Sequence, residues 1–141
     1  MAIAAPQLHA SSRTRILLVE DNDISRQLLG DYLNDCGYDV LSLAEARSFA
    51  SVLTQFKPDL ILLDIKLPYI DGYALLQQLQ QVPEWRRIPV IVVSAYAFRA
   101  DQQRALKLGA RRYLVKPIKL SELTQAISEE ITCSLFSTLE T

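Results

Sequence analysis

The segment Leu60-Ile61-Leu62-Leu63-Asp64-Ile65 decides the fold class, because four aliphatic residues run directly into one carboxylate. A stretch that is apolar at every position predicts a strand of a parallel sheet with helices on both faces. Open sheets of this kind bind ligands outside the carboxyl ends of their strands. Asp64 is therefore a candidate site residue, although a carboxylate at a strand end is also often a helix cap or a turn residue.

Strand-like and helix-like segments alternate five times along the chain. The predicted strands are 16–19, 38–41, 60–64, 88–93 and 111–115, and the helices that follow them are about 23–36, 44–56, 73–82, 97–108 and 120–131. Five such units predict an α/β fold with right-handed crossovers. We expect a (βα)5 flavodoxin-like, doubly wound sandwich, with a five-stranded parallel sheet in the order 2-1-3-4-5 and helices on both faces.

The first helix carries apolar residues four positions apart, and these predict its buried face. They are Ile24, Leu28, Tyr32 (with Leu33) and Cys36. Cys36 is thereby predicted to be a small core residue. The second cysteine, Cys133, lies far away in the sequence, so the pair shows neither a disulfide framework nor metal-ligand spacing.

Composition places the chain among ordinary single-domain proteins. It has 141 residues, half of them hydrophobic, and a formal net charge of −1, so nothing global indicates nucleic acid or an anionic membrane. We predict a flexible leader over 1–13, one domain over 14–133 and a short C-terminal tail over 134–141. No apolar run is long enough to cross a membrane and the leader is not a convincing signal peptide, so we expect a cytoplasmic protein.

Polar residues end four of the predicted strands. Glu20 and Asp21 follow the first strand, Asp64 ends the third, Ser94 the fourth and Lys116 the fifth. In the order 2-1-3-4-5 the topological switch point lies between the first and third strands, so these side chains should meet in one crevice. The only histidine, His9, lies in the leader, which makes histidine-based catalysis within the domain improbable.

Three carboxylates in one crevice need a cation, because like charges about 4 Å apart cost several kcal/mol at intermediate dielectric. Oxygen ligands that leave room for water suit Mg²⁺, with Mn²⁺ as the alternative. We expect Asp21 and Asp64 as direct ligands, Glu20 acting through water, and a backbone carbonyl just after Asp64 as a further ligand. A carboxylate such as Asp64 can also form an acyl phosphate, whose charge Lys116 and Ser94 would stabilise.

With these motifs in this order, the chain resembles the receiver domain of two-component response regulators, the CheY-like family. The likeness covers about 15–131 and rests on LLVEDN, DLILLDIKLP, DG at 71–72, IPVIVVSA, GA at 109–110 and YLVKP. It implies that Asp64 is the phospho-acceptor and that the acidic pair is Glu20 and Asp21. It further implies the following elements: the Lys66 carbonyl as metal ligand, Ser94 as switch hydroxyl, Lys116 as phosphoryl-binding lysine, Tyr113 as aromatic switch and a cis Lys116–Pro117 bond.

Two of these positions leave alternatives open, and a further residue, Ala95, affects access to the site. For Tyr113 the alternative is an ordinary half-buried strand tyrosine. The Lys66 ammonium departs from the neutral or amide side chains common at this place in the family, and it could pair with Glu20 or reach the phosphoryl group. Ala95 is small, so it should leave the site accessible to a partner or to water.

The resemblance implies a signalling phospho-acceptor rather than an enzyme. This phospho-acceptor would assist its own phosphorylation and dephosphorylation. The donor would be a histidine kinase or a histidine phosphotransfer protein, and the output a downstream protein target. Contact is expected through the fourth helix, fifth strand and fifth helix, where a homodimer is also conceivable. The basic residues there are Arg99, Arg104, Lys107, Arg111 and Arg112, which form either a solvated face or a surface for an acidic partner.

Several alternatives remain open. The Met1 leader and the short tail favour a stand-alone protein over a module of a larger regulator or hybrid kinase. A pseudo-receiver that never takes phosphate is a second alternative, and an aspartyl hydrolase or an FMN binder a third. An aspartyl hydrolase usually has a second carboxylate two residues after the nucleophile, where this chain has Lys66. The acidic residues within 20–23 would repel the phosphate of FMN. No DNA-binding module is present, so we expect no direct nucleic-acid binding.

Overall fold

The computed structural model describes residues 13–67 and 70–140, and within these residues strands and helices alternate as predicted. The strands are β1 (Arg15–Val19), β2 (Asp39–Leu43), β3 (Leu60–Leu63), β4 (Val90–Ser94) and β5 (Arg112–Val115). The helices are α1 (Asp23–Asp35), α2 (Phe49–Phe56), α3 (Gly72–Gln81), α4 (Arg99–Lys107) and α5 (Leu120–Glu140), with a further short helix at Pro83–Arg86. His9, most of the predicted leader and Pro68 lie outside the described residues.

The five strands form one parallel sheet in the order β2-β1-β3-β4-β5, which confirms the predicted fold. β3 lies at its centre, and all four of its residues are fully buried. Ile61 and Leu63 pack in the cluster that contains residues of α2, α3 and α4. Leu60 and Leu62 pack in the opposite cluster with residues of α1 and α5. The run is apolar throughout because both faces of β3 are covered by helices.

The predicted buried face of α1 is wrong at Ile24, Leu28 and Cys36, whereas Leu33 is buried as predicted and Tyr32 is half-buried against the same cluster. The buried residues of α1 are Leu29, Gly30 and Leu33, whereas Ile24 and Leu28 are 71% and 65% exposed and Cys36 is exposed at the end of the helix. Steps of four residues turn about 40° beyond a full turn, so a stripe of four such residues drifts off one face. Gly30 lies on the side of α1 that faces β2, and a Cβ at this position would make an ordinary contact of 3.4 Å with the Ser42 Oγ atom.

Several boundaries also differ from the sequence predictions. α2 begins at Phe49 rather than Ala44. Pro83 ends α3 as predicted, but it also begins the short helix, since proline is favoured at the first helical position. α5 continues to Glu140, so residues 134–140 are helical rather than a separate tail. The limits of the domain itself stay predictions. Among the described residues, none of the helices has the length and apolar content needed to cross a bilayer.

The start of α3 is fixed against the end of β3 by a close backbone approach. The Gly72 N–H donates to the Ile65 carbonyl at 3.0 Å. A Cβ at Gly72 would lie 2.6 Å from the Ile65 Cα atom, a distance that real side chains do not tolerate. Glycine is therefore required here, and α3 is held directly beside the residue that follows Asp64.

Candidate functional site

Three carboxylates meet at the carboxyl ends of β1 and β3, as the sequence predicted. Glu20 and Asp64 are 2% and 6% exposed, while Asp21 is exposed to solvent. One oxygen from each of the three carboxylates lies within 4.8 Å of the others. The parallel pairing of β1 with β3 aligns Val19 with Leu63, and this register brings the residues that follow each strand side by side.

Lys116 reaches into this acidic cluster from the end of β5. Its Nζ atom lies 2.7 Å from the Glu20 Oε1 atom and 3.1 Å from the Asp64 Oδ2 atom. Burial lowers the pKa of Lys116, but the hydrogen bonds to Glu20 and Asp64 outweigh it, and the net pKa is raised. One ammonium faces three carboxylates, so the cluster keeps a surplus of negative charge.

The backbone after Asp64 donates a hydrogen bond to the second oxygen of the Asp64 carboxylate. The Lys66 N–H donates to the Asp64 Oδ1 atom at 3.0 Å, so each oxygen of Asp64 has its own donor. The Lys66 residue is exposed, and the ion pair of Glu20 is formed by Lys116 instead. The suggested pairing of Lys66 with Glu20 is therefore not observed. The metal-ligand role of the Lys66 carbonyl stays a prediction.

Two residues that the sequence analysis did not assign to the site support the acidic pair. The Asn22 N–H donates to the Glu20 Oε2 atom at 3.1 Å. The Arg26 guanidinium donates to the carbonyls of Glu20 and Asp21 at 3.0 and 3.3 Å, and it pairs with Asp23. The spacing of Asp23 and Arg26 in the first turn of α1 was the available signal, since residues three apart are neighbours on a helix. Together these contacts fix the loop between β1 and α1.

Ser94 and Tyr113 are connected through the backbone of Tyr96. Ser94 is fully buried, and its Oγ atom accepts a hydrogen bond from the Tyr96 N–H at 3.1 Å. The Tyr113 hydroxyl donates to the Tyr96 carbonyl at 2.8 Å. Burial raises the pKa of Tyr113. Tyr96 is a site residue that the sequence analysis missed, because its backbone rather than its side chain makes both contacts.

The remaining predicted residues lie at the rim of the crevice. Ala95 is exposed between Ser94 and Tyr96, as expected for an accessible site. The peptide bond between Lys116 and Pro117 is cis, as the resemblance implied.

The donor set fits a hard divalent cation. Glu20, Asp21 and Asp64 offer only oxygen atoms, and the exposure of Asp21 leaves room for water, which Mg²⁺ usually retains. Lys116 neutralises only part of the negative charge. The residues present therefore suit Mg²⁺ better than a soft metal.

A largely apolar groove with a volume of about 810 Å³ begins beside the crevice. It runs between α1 and the loop after β5, and its lining includes Leu28, Tyr32, Pro117, Ile118 and Leu120. Lys116 lies at its edge. The exposed Leu28 that the core prediction misplaced thus belongs to a surface next to the acidic cluster.

Comparisons with known proteins agree with this geometry. Residues 16–128 match the family model for the response regulator receiver domain. The polar-differentiation response regulator DivK of Brucella anthropi is 32% identical over 112 residues, which cover 79% of this chain and 91% of that protein.

Solved receiver structures also superpose on most of the chain. A CheY-like receiver domain protein from Methanospirillum hungatei has a TM-score of 0.80 at 28% identity, covering 89% of this chain and 99% of that chain. The receiver domain of a sensor histidine kinase from Pseudomonas aeruginosa, with a magnesium ion coordinated in its active site cleft, has a TM-score of 0.78 at 31% identity, covering 86% and 99%. The fold, the family model and the identity to DivK agree, and this chain belongs to the family of response regulator receiver domains.

Proposed function

We propose that this protein is a phosphorylation-dependent receiver that accepts a phosphoryl group on Asp64 from a phosphohistidine of a partner protein. One observation carries the proposal: the Asp64 carboxylate contacts the Lys116 ammonium at 3.1 Å and has an oxygen within 4.8 Å of both members of the acidic pair. The donor is a histidine kinase or a histidine phosphotransfer protein. The protein is a phospho-acceptor rather than an enzyme acting on other substrates.

The transfer is a direct displacement at phosphorus. An Asp64 oxygen attacks the phosphorus atom, the bond from phosphorus to the histidine nitrogen breaks, and the imidazole keeps the electron pair and takes a proton. Lys116 already lies 3.1 Å from the Asp64 Oδ2 atom, so its ammonium can stabilise the incoming phosphoryl oxygens. The Asp64 Oδ1 atom stays oriented by the Lys66 N–H.

The acidic pair supports a divalent cation in this proposal. Asp21, Asp64 and the Lys66 carbonyl would hold Mg²⁺ directly, with Glu20 acting through water, and Mn²⁺ could replace it. When bound, the ion supplies positive charge for the phosphoryl oxygens. Glu20, whose Oε1 atom pairs with Lys116, keeps the ammonium next to Asp64.

Output is proposed to follow from Ser94 and Tyr113. The new phosphoryl oxygens would attract the Ser94 hydroxyl, which at present accepts from the Tyr96 N–H, and Tyr113 would leave the Tyr96 carbonyl and turn inward. The surface of α4, β5 and α5 would then change its affinity for a downstream protein or a second copy of the chain. Gel filtration with and without beryllofluoride tests whether activation makes two copies of the chain associate.

The phosphodonor is proposed to dock on the groove between α1 and the loop after β5. The groove is continuous with the site because Lys116 belongs to both, and Ile24 and Leu28 expose large apolar side chains beside it. Leu28→Asp should slow phosphorylation by a phosphohistidine protein without changing phosphorylation by acetyl phosphate, which needs no docking. Equal rates for wild type and variant with the protein donor would exclude this docking surface.

The decisive experiment is incubation with Mg²⁺ and acetyl phosphate followed by intact-mass measurement. Wild type should gain one phosphoryl group, Asp64→Asn should gain none, and Asp39→Asn, a variant of an exposed carboxylate on β2, should behave as wild type. Absence of the adduct in wild type would favour the pseudo-receiver. Whether the chain acts alone or within a larger regulator or hybrid kinase does not change this test. We further propose that the protein is cytoplasmic and does not bind nucleic acid directly.

A further inference from the structure

Tyr73 connects α3 to the first turn of α4. Its side chain is buried, and its hydroxyl lies 3.3 Å from the Asp101 carbonyl and 3.2 Å from the Asp101 Oδ1 atom. The Arg104 guanidinium lies over the ring, 4.0 Å from its centroid. Burial and the hydrogen bond to Asp101 raise the pKa of Tyr73 to about 12, so the phenol is a neutral donor at physiological pH. One side chain thus contacts two residues of α4.

The base of this connection is rigid. The Tyr73 N–H donates to the Asp71 Oδ1 atom at 3.0 Å, and the Gly72 N–H donates to the Ile65 carbonyl at 3.0 Å. Gly72 permits this close approach because any larger residue would clash with Ile65. Since Ile65 follows Asp64 directly, Tyr73 holds α4 in a fixed relation to the acceptor loop.

The segment between β4 and α4 is therefore held at both ends by tyrosine hydroxyls. Tyr113, from β5, holds the Tyr96 carbonyl at 2.8 Å, and Tyr73, from α3, holds Asp101. Tyr113 and Ser94 act on the loop before α4, whereas Tyr73 acts on the helix itself. If Ser94 moves together with the loop before α4, two outcomes are possible for the first turn of α4. Either this turn moves with the loop and its contact with Tyr73 is strained, or it stays in place on Tyr73.

We propose that Tyr73 is a positioning residue that holds α4 in the place it occupies before phosphorylation and so opposes the switch. The inference rests on the proposed function for what activates the switch. The contact between Tyr73 and Asp101 itself does not depend on it. Loss of the hydroxyl leaves the ring packed and removes one hydrogen bond to a charged side chain, so the activated conformation becomes easier to populate.

The test compares Tyr73→Phe with Tyr38→Phe, which removes a phenol hydroxyl from the residue just before β2. Hydrogen exchange of the protein without phosphate should be faster in 96–104 of Tyr73→Phe and unchanged in its sheet. Tyr38→Phe should leave 96–104 as in wild type. Beryllofluoride with Mg²⁺ should bind Tyr73→Phe about tenfold more tightly, the lower end of the range for one hydrogen bond to a charged group. Unchanged exchange at 96–104, or faster exchange throughout the sheet, would overturn the proposal.

A double-mutant cycle with Asp101→Ala separates this contact from a general effect of either change. The effects of Tyr73→Phe and Asp101→Ala on exchange should be less than additive, because each removes the hydrogen bond between the Tyr73 hydroxyl and the Asp101 Oδ1 atom. Additive effects would refute the direct role. Failure of the proposed function can be distinguished from failure of this inference. If wild type binds neither a phosphoryl group nor beryllofluoride, the proposed function fails, but hydrogen exchange of the unphosphorylated protein still tests the contact of Tyr73 with Asp101.

Discussion

Two clusters in this protein place a basic side chain between two carboxylates, but they differ in charge balance. In the crevice, Lys116 contacts Glu20 at 2.7 Å and Asp64 at 3.1 Å, with Asp21 nearby as a third carboxylate. On the face of β5 and α5, Arg112 contacts Glu129 and Glu130, each at 2.8 Å, and Arg111 lies 3.9 Å from Glu130. The first cluster has three acids for one base, and the second has two of each.

This difference in charge balance distinguishes a candidate binding site from a structural contact. The balanced cluster joins β5 to α5, has no net charge for a ligand to neutralise, and is partly exposed to water. The unbalanced cluster holds like charges together at a mostly buried place, where each unpaired charge is expensive. The surplus of negative charge in the crevice could be balanced by a divalent cation, whereas the charges of the second cluster balance one another between β5 and α5.

The largest expected effect comes from Lys116→Met. Without divalent cations it should lower the free energy of unfolding by about 2–3 kcal/mol, because Glu20 stays buried without its partner. Urea denaturation in the presence of a chelator measures the loss. A loss no larger than that caused by Arg112→Met would contradict the contrast between the two clusters.

Magnesium should stabilise the first cluster alone. At ten times its dissociation constant, Mg²⁺ should raise the free energy of unfolding of wild type by about 1.4 kcal/mol, and a chelator should remove this gain. Asp21→Asn should lose most of the gain, while Arg112→Met should keep it. Thermal denaturation with and without Mg²⁺ measures both, and an equal gain in Asp21→Asn would exclude the acidic pair as the binding place.

Arg112→Met should have a smaller effect, at most about 1 kcal/mol for the pair with Glu130, because such partly exposed pairs contribute little. Arg111 remains close to Glu130 and takes over part of its pairing. The effect should shrink further in high salt, where surface charges are screened. Urea denaturation at low and high ionic strength checks this, and a salt-independent loss would show that the cluster behaves as buried.

The smallest effect concerns pH. The folded-state pKa of Lys116 lies above its ordinary value of 10.5, so its ion pairs contribute stability that is complete below about that pH. This contribution is lost as the pH rises through the raised pKa. The difference in unfolding free energy between wild type and Lys116→Met should therefore narrow above pH 10.5. A difference that stays constant to higher pH would mean that the ammonium contributes nothing to the folded state.

The strand order and the meeting of Glu20, Asp21, Asp64 and Lys116 could be predicted from the sequence, and Ser94 ends β4, the strand that pairs with β3. Buried parallel strands leave an unbroken apolar run, and residues that end such strands share one edge of the sheet. The prediction needed only chain order and the ends of strands, and these are local properties of the sequence.

The faces and partners of side chains were harder to predict. Ile24 and Leu28 are as apolar as Leu29 and Leu33, and the packing of α1 on the sheet and on α5 determines which pair is buried. The hydroxyl partner of Tyr73, Asp101, lies 28 residues further along the chain, and no local pattern indicates this contact. Such pairings depend on tertiary geometry, which leaves no periodic pattern in the sequence.

The length of α5 has a mechanical consequence. Its buried residues Leu123, Ala126 and Ile127 fix the first half of the helix to the sheet, and the helix continues to Glu140. Glu130 pairs with Arg112 of β5 and Ile131 packs against the same cluster, so the attached part of the helix extends to Ile131. The distance from Ile131 to Glu140 along the axis is about 14 Å at 1.5 Å per residue. A tilt of about 10° of the attached part would move the far end by about 2 Å, so the end of α5 would magnify a small rotation at the edge of the sheet.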